Sequence, residues 1–321
     1  MKVYVKTPAR LHLGLIDMNR ELSRVFGGLG IGISYPNVSL EATQNEKMEI
    51  IGERKRLVKK YVSRFLEKYK VQSNFLLRIK NVIPEHSGLG SGTQLALAVA
   101  VALAKLSNIN ATIQELSLAM GRSKRTGVGT AIFEKGGFIL DGGKTIDNTT
   151  GKMEELSPVL FSRAIPKDWR FIVVIPDIKR GLANSMEAKA FKEVPKMSSE
   201  DVGIICRLII MKLLPSLIEN KIKDFGEAVT KIQITVGKNF SNVQGGIFAS
   251  PIIQEGIDYF IEMGAYGAGQ SSWGPTFYGL TKVADSQKFK DKMIEFLDKK
   301  MGGVVFIAEP NNRGAYIKIT N

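Results

Sequence analysis

The sequence predicts a two-domain α+β protein, and three observations carry that expectation. The chain has 321 residues, more than one domain usually holds, with 44% hydrophobic content to fill more than one core. Period-two alternation and helical spacing both recur along it, so strands and helices are mixed. The buried-strand pattern "WRFIVVIPDI" (169–178) opens a second half, which sets a boundary near residue 165 and domains at 1–165 and 166–321.

Residues 2–6 alternate, and 9–15 continue with an apolar side chain at every second position, as in a half-buried sheet. "VFGGLGIGIS" (25–34) has too many glycines for a helix and reads as a turn entering a strand that another backbone or a ligand approaches closely. "VSLEATQNEKMEIIGE" (38–53) reads as a polar-faced antiparallel pair. In "RKRLVKKYVSRFLEKYK" (54–70), Leu57, Tyr61, Phe65 and Tyr69 fall at helical spacing with cations between them, an amphipathic surface helix whose charge is expected to be solvated. A strand over 74–84 then delivers the chain into "PEHSGLGSGTQLALAVAVALAKL" (84–106), a glycine loop followed by a helix to about residue 107. A second helix starts near Thr112 with Glu115 as its capping-box partner. "RTGVGTAIFEKGGFILDGG" (125–143) reads as glycine turns alternating with short strands. Beyond the boundary, helices are expected near 200–219, 221–235 and 285–300, with the glycine-rich "GAYGAGQSSWGPTFYGL" at 264–280 and a closing hairpin around "NNRG".

Lys and Arg number 45 against 31 Asp and Glu, a net charge of +14. Such an excess selects anionic partners: nucleic acid, an acidic membrane surface or a phosphorylated small molecule. Composition alone does not separate these three, although the chain carries no recognisable nucleic-acid module and its longest apolar run is shorter than a membrane span. A single cysteine, Cys206, and two histidines exclude an intramolecular disulfide and a Cys/His zinc centre. With a first segment that reads as a strand rather than a leader, the expected location is the cytoplasm.

The glycine loop carries the chemistry. Pro84 ends a strand, Gly88, Gly90 and Gly92 permit tight backbone turns, and Ser91 or Thr93 is placed to cap the following helix. Unpaired amides in a first helical turn, with roughly half a positive charge from the helix dipole, make an anion site suited to phosphate or pyrophosphate. The spacing is neither that of a P-loop nor that of a dinucleotide fingerprint.

"TPARLHLGL" (7–15), "IPEHSGLGSGTQLALA" (83–98) and "GAYGAGQSSWGPTFYGL" (264–280) recur in the order of the three motifs of the galactokinase, homoserine kinase, mevalonate kinase and phosphomevalonate kinase (GHMP) superfamily, which the sequence therefore resembles over nearly its whole length. The resemblance implies a ribosomal-S5-like first domain, a ferredoxin-like second domain and a ligand in the cleft between them. Where many of these kinases carry an aspartate base, this chain has "GVGTA", with Gly129 and Thr130 at those positions, and Ile16 and Asp17 replace the Glu-His that often follows the first motif. "RLHLGLIDMN" (10–19), "GLGSGTQ" (88–94), "TGVGTAIFEKGGFILDGG" (126–143), "IPDIKRGL" (175–182) and "GQSSWGPTFYG" (269–279) resemble a non-kinase branch, the β-ribofuranosylaminobenzene (or hydroxybenzene) 5'-phosphate synthases of methanopterin biosynthesis. That branch condenses phosphoribosyl pyrophosphate with a 4-substituted benzoate, 4-amino or 4-hydroxy, and releases pyrophosphate and CO2. It implies Mg2+ and a homodimer. An ATP-dependent small-molecule kinase is the alternative.

On that resemblance, Gly88, Leu89, Gly90, Ser91, Gly92 and Thr93 are expected to contact pyrophosphate, joined by Gly269, Ser271, Ser272 and Trp273 of the third motif. Arg10, Asp17, His86 and Arg180 form the expected catalytic set, with His86 placed to protonate or clamp the leaving group. Arg24, Arg122 and Arg125 are further forks for a ribose phosphate or a benzoate carboxylate. Asp17, Asp141 and Asp177 are the expected magnesium neighbours. His12 is expected to be a satisfied sheet histidine. Trp273 and Tyr278 either stack on an aromatic substrate or belong to the core.

Overall fold

The computed structural model describes residues 1–147, 149–150, 152–154, 156–178, 190–191 and 193–320. β1 (Lys2–Lys6) buries Val3 and Val5 and exposes Lys2 and Lys6, the alternation of a strand with one face on the core. It pairs with β4 (Ser39–Asn45) on one side and with β14 (Tyr316–Thr320) on the other. With β6 (Asn74–Asn81) and β5 (Glu49–Ile51) they make an outer sheet in the order β14-β1-β4-β6-β5. Segment 38–53 is thus not the antiparallel pair expected from its polarity. β4 and β5 each take an edge of β6, β5 in parallel, because β6 turns Phe75, Leu77 and Ile79 to the core and offers both edges.

β2 (Ala9–Asp17), β3 (Arg24–Ile33), β7 (Phe138–Asp141) and β9 (Val159–Arg163) form a second sheet, with β8 (Lys144–Thr145) beside β3. β2 and β3 are buried on both faces rather than one. Helix α4 (Val128–Lys135) packs on β3, and α7 (Ile222–Gln244), from the other half of the chain, packs on β2. "VGTAIFEK" is therefore helical, not a strand between turns. Its glycine punctuation lies at the ends, Gly127 at the N-cap and Gly136 at the C-cap, so it bounds a helix.

α2 (Ser91–Leu106) is buried from Gln94 to Leu106 except at Lys105, and a helix apolar all round must be central. It packs on β1 and β4 and against α1 (Lys55–Tyr69), α3 (Ile113–Ala119) and α4. α3 starts at a complete capping box: the Glu115 amide donates to the Thr112 hydroxyl at 3.2 Å, and the Glu115 carboxylate accepts from the Thr112 amide at 2.7 Å.

In the second half β10 (Trp169–Pro176), β11 (Gly267–Gln270), β12 (Phe277–Lys282) and β13 (Gly303–Ala308) are antiparallel in the order β11-β12-β10-β13. That is the 2-3-1-4 arrangement of a ferredoxin-like unit. α8 (Pro251–Glu262) and α9 (Val283–Asp298) cover it over a core of Ile172, Val174, Phe260, Phe277 and Met293. α5 (Ser199–Leu208) runs through a π-helical turn, Ile209–Leu213, into α6 (Leu214–Ile218). The "NNRG" segment is a crossover rather than a hairpin, since β13 belongs to this sheet and β14 to the outer one. The Asn311 side chain holds the corner by accepting from the Gly314 amide at 2.8 Å. Among the described residues no helix is long and apolar enough to cross a membrane.

Candidate active site

The loop after β6 turns through positive φ at Gly88 (+83°) and Gly90 (+78°) before α2 begins. At Gly88 a Cβ would stand 2.1 Å from the Ser271 carbonyl oxygen, so no side chain fits there. Gly90 is the N-cap of α2, and its carbonyl accepts from the Thr93 and Gln94 amides, each at 3.1 Å. The Ser91 and Gly92 amides of the first turn remain for a ligand in the cleft that both residues line. Neither Ser91 nor Thr93 caps the helix as expected. The Thr93 hydroxyl instead accepts from Arg122 Nε at 3.2 Å, which fixes that guanidinium over the loop.

One hydroxyl joins the three motifs. Ser271 Oγ donates to the Gly88 carbonyl at 2.7 Å and accepts from the His12 amide at 2.9 Å. Beside it the Arg10 amide donates to the Leu89 carbonyl at 3.1 Å, and the Thr276 amide to the Ser87 carbonyl at 3.3 Å. β2, the glycine loop and the segment before β12 are thereby held in one lattice.

That lattice floors a cleft of about 930 Å³ whose two walls differ in chemistry. Eight lysines and arginines line it among the described residues, against one carboxylate, Glu85, which is paired with Arg54 at 2.5 Å. Most of these cations come from α1 and from residues 122–125. The other wall is apolar, built from Val236, Phe240, Ile247, Phe248 and Trp273 with Phe191. The Trp273 ring meets Phe191 and Phe240 edge to face at 5.3 and 5.1 Å. Arg125 stands where the walls meet, its guanidinium carbon 3.8 Å above the Phe191 ring.

The charge of α1 is therefore not simply solvated. The helix buries Val58, Tyr61, Val62 and Phe65, with Val58 where the sequence pattern had Leu57, and Arg54, Arg56, Lys60 and Arg64 reach the cleft. This basic wall is not legible in the sequence, because periodicity identifies the buried face but not what the opposite face meets. His12 lines the cleft from β2; burial, and secondarily the Arg10 charge, hold its imidazole well below the ordinary value, so it is neutral near pH 7. At the position of the missing aspartate, the Thr130 hydroxyl is bonded to those of Ser117 (2.7 Å) and Ser123 (2.8 Å).

Of the residues expected from sequence, the structure gathers Arg10, His86, Gly88, Gly90, Ser91, Gly92, Thr93, Arg122, Arg125, Ser272 and Trp273 around this cleft. Others stand behind it or away from it. Leu89 is fully buried, Ser271 is the buried strut described above, and at Gly269 a Cβ would meet Gln233 at 2.7 Å. The Arg24 fork bonds the Gly142 and Gly143 carbonyls and the Thr145 hydroxyl. Asp17 accepts from the Asn19 amide at 2.7 Å. Asp141 is fully buried; burial lifts its carboxyl to about 6, although the Gly143 and Gly127 amides donate to it. Asp177 is exposed just beyond β10. Tyr278 is core, edge to face with Phe171 at 6.2 Å. Arg180 lies outside the described residues. Among those described, no group of three or more His, Cys, Asp or Glu side chains is placed to hold a metal.

Residues 56–137 match the GHMP kinases N terminal domain. Over 99% of both chains the sequence is 33% identical to the β-ribofuranosylphenol 5'-phosphate synthase of Methanothermobacter thermautotrophicus. It is 31% identical to the protein of that name from Methanocaldococcus jannaschii, over 97% of this chain and 98% of the other. Among solved structures, homoserine kinase from Cytophaga hutchinsonii superposes with a TM-score of 0.67 at 16% identity, covering 99% of this chain and 97% of that one. Mevalonate diphosphate decarboxylase from Staphylococcus aureus gives a TM-score of 0.67 at 13% identity, covering 99% and 98%. The α+β fold, in two domains, is that of the GHMP kinases, as the motifs implied.

Proposed function

The chain belongs to the β-ribofuranosylphenol 5'-phosphate synthase family, and from that premise we propose that it joins the anomeric carbon of phosphoribosyl pyrophosphate to the carboxyl-bearing ring carbon of 4-hydroxybenzoate, releasing pyrophosphate and CO2 early in tetrahydromethanopterin biosynthesis. The observation that carries this reading is a cleft with one cationic and one aromatic wall meeting at the glycine loop, without a carboxylate at Gly129 or Thr130 to serve as a kinase base. The name of the relatives specifies a phenol, which favours 4-hydroxybenzoate over 4-aminobenzoate.

The anomeric C–O bond breaks with its electron pair leaving on pyrophosphate. That growing charge is met by the Ser91 and Gly92 amides, the α2 dipole, Arg10 and Arg122. A ring π pair forms the new C–C bond to the oxocarbenium carbon, leaving a ring cation whose charge spreads to the position para to the bond. A hydroxyl or amine there donates into it, which is why the acceptor needs a 4-substituent. The C–CO2 bond then breaks and returns its pair to the ring. No proton is abstracted, so the neutral His12 and the absent aspartate cost the reaction nothing. The Trp273 and Phe240 wall orients the ring and keeps water away from the cation.

Magnesium belongs to this reading as a companion of the substrate phosphates. Asp17, Asp141 and Asp177 do not line the cleft, so the protein offers no carboxylate cage there among the described residues. A cytoplasmic homodimer is part of the same proposal. The reading is tested by following pyrophosphate release from phosphoribosyl pyrophosphate with 4-hydroxybenzoate, 4-aminobenzoate and unsubstituted benzoate. Release is expected with para-donor acids alone. Release independent of the acid, or ADP formed from ATP with an alcohol acceptor, would exclude it.

A further inference from the structure

We infer that Arg56, Lys60 and Arg64 of α1 form a second anion subsite, distinct from the glycine loop, that takes the 5'-phosphate of the ribose; the inference rests on the reading above for the identity of its ligand. The three residues are spaced i, i+4, i+8, so they form a single row about 12 Å long on the helix surface. All three line the cleft, and all are exposed to it. The row cannot turn away, because Val58, Tyr61, Val62 and Phe65 are buried beneath it. Two bonds fix it relative to the rest of the site: the Tyr61 hydroxyl donates to the Gly92 carbonyl at 3.2 Å, and Arg64 Nη1 donates to the Met120 carbonyl at 3.1 Å. The Arg56 and Lys60 side chains have no hydrogen-bond or ion-pair partner among the described residues, and the one carboxylate of the cleft, Glu85, is paired with Arg54.

The charge of the substrate calls for such a row. A single helix N-terminus with Arg10 and Arg122 suits one pyrophosphate, and a phosphate monoester at the far end of a ribose adds a further charge of about −1.5 to −2 that calls for cations of its own. The carboxylate of the aromatic acid is the other anion present, but it leaves as CO2 and must sit against the anomeric carbon on the aromatic side. The basic wall is thereby left to the monoester, and a tether at each end fixes the anomeric carbon between the walls.

The experiment measures binding of ribose 5-phosphate and of inorganic pyrophosphate, separately, to the full-length protein by calorimetry. R56A/K60A is compared with the charge-keeping R56K/K60R and with K59A/K68A, which removes the same charge from α1 positions that do not line the cleft. Alanine at exposed helix positions preserves the helix. In R56A/K60A the ribose 5-phosphate Kd is expected to rise about tenfold or more while the pyrophosphate Kd stays within about twofold, with the other two variants near wild type. Equal weakening of both ligands, an unchanged ribose 5-phosphate Kd, or a wild type that binds pyrophosphate but not ribose 5-phosphate would each overturn the subsite. Turnover separates this from the reaction itself. Selective loss of ribose 5-phosphate binding in a protein that transfers no phosphoribosyl group to the aromatic acid keeps the subsite and removes the reaction, whereas turnover with an unchanged KM for phosphoribosyl pyrophosphate in R56A/K60A does the reverse.

Discussion

Ser271 shows how a residue can matter to a site without touching its ligand. Its hydroxyl is fully buried and satisfies both the Gly88 carbonyl and the His12 amide. Ser271→Ala leaves two buried polar groups unpaired and is expected to cost about 1–3 kcal/mol of stability, with a several-fold higher KM for phosphoribosyl pyrophosphate. Chemical denaturation and steady-state kinetics check this together. Gly88→Ala is more severe, since the added Cβ would sit 2.1 Å from a carbonyl oxygen, and pyrophosphate binding by calorimetry should be nearly lost. His12 sets a pH dependence. Its folded value lies below its unfolded value of about 6.5, so the unfolded chain takes up the proton first, and stability present above that pH is lost as the pH falls through and below it. Compared with His12→Gln, the wild type should lose stability between pH 7.5 and 5.5; a constant difference across that range would contradict the assignment. The sequence brought all of these residues into view, but not which contacts the ligand and which holds the loop. A serine in a glycine motif looks the same in either role until the carbonyl behind it is located.

At the scale of elements, periodicity locates α1 and the apolar run after the glycine loop locates α2, but neither signal shows what surrounds them. The buried stripe of α1 includes Val58 where the spacing predicts Leu57, and the cations between its apolar positions face the cleft, because a single sequence does not show what a polar face meets. In 125–143 the glycine pattern predicts turns between strands, whereas Gly127 and Gly136 cap a two-turn helix on β3. The capping box of α3 was legible because it is written within four residues. Its replacement in Thr112→Ala should lower stability by about 1 kcal/mol and leave both kinetic constants unchanged, as thermal unfolding and an activity assay would show. A kinetic effect would place α3 closer to the chemistry than its contacts do.

For the whole molecule, length, mixed patterning and the three ordered motifs were enough for the two-domain α+β fold, and the strand pairings were not. β14 closes the sheet that β1 begins, a pairing across more than 300 residues that local spacing does not encode. Deleting Tyr316–Thr320 should expose the edge of β1 and lower the thermal midpoint of unfolding, while an unchanged midpoint would make the closing strand dispensable. The same convergence brings three distant motifs to one hydroxyl and sets a cationic wall opposite an aromatic one, an arrangement suited to joining a charged sugar to a flat ring. The most direct measurement supplies phosphoribosyl pyrophosphate with 4-hydroxybenzoate labelled at its carboxyl carbon, without ATP, and counts labelled CO2 against pyrophosphate. Equal amounts of the two, with the ribose carbon-bonded to the phenol, are expected; pyrophosphate without labelled CO2, or no product until ATP is added, would contradict the assignment.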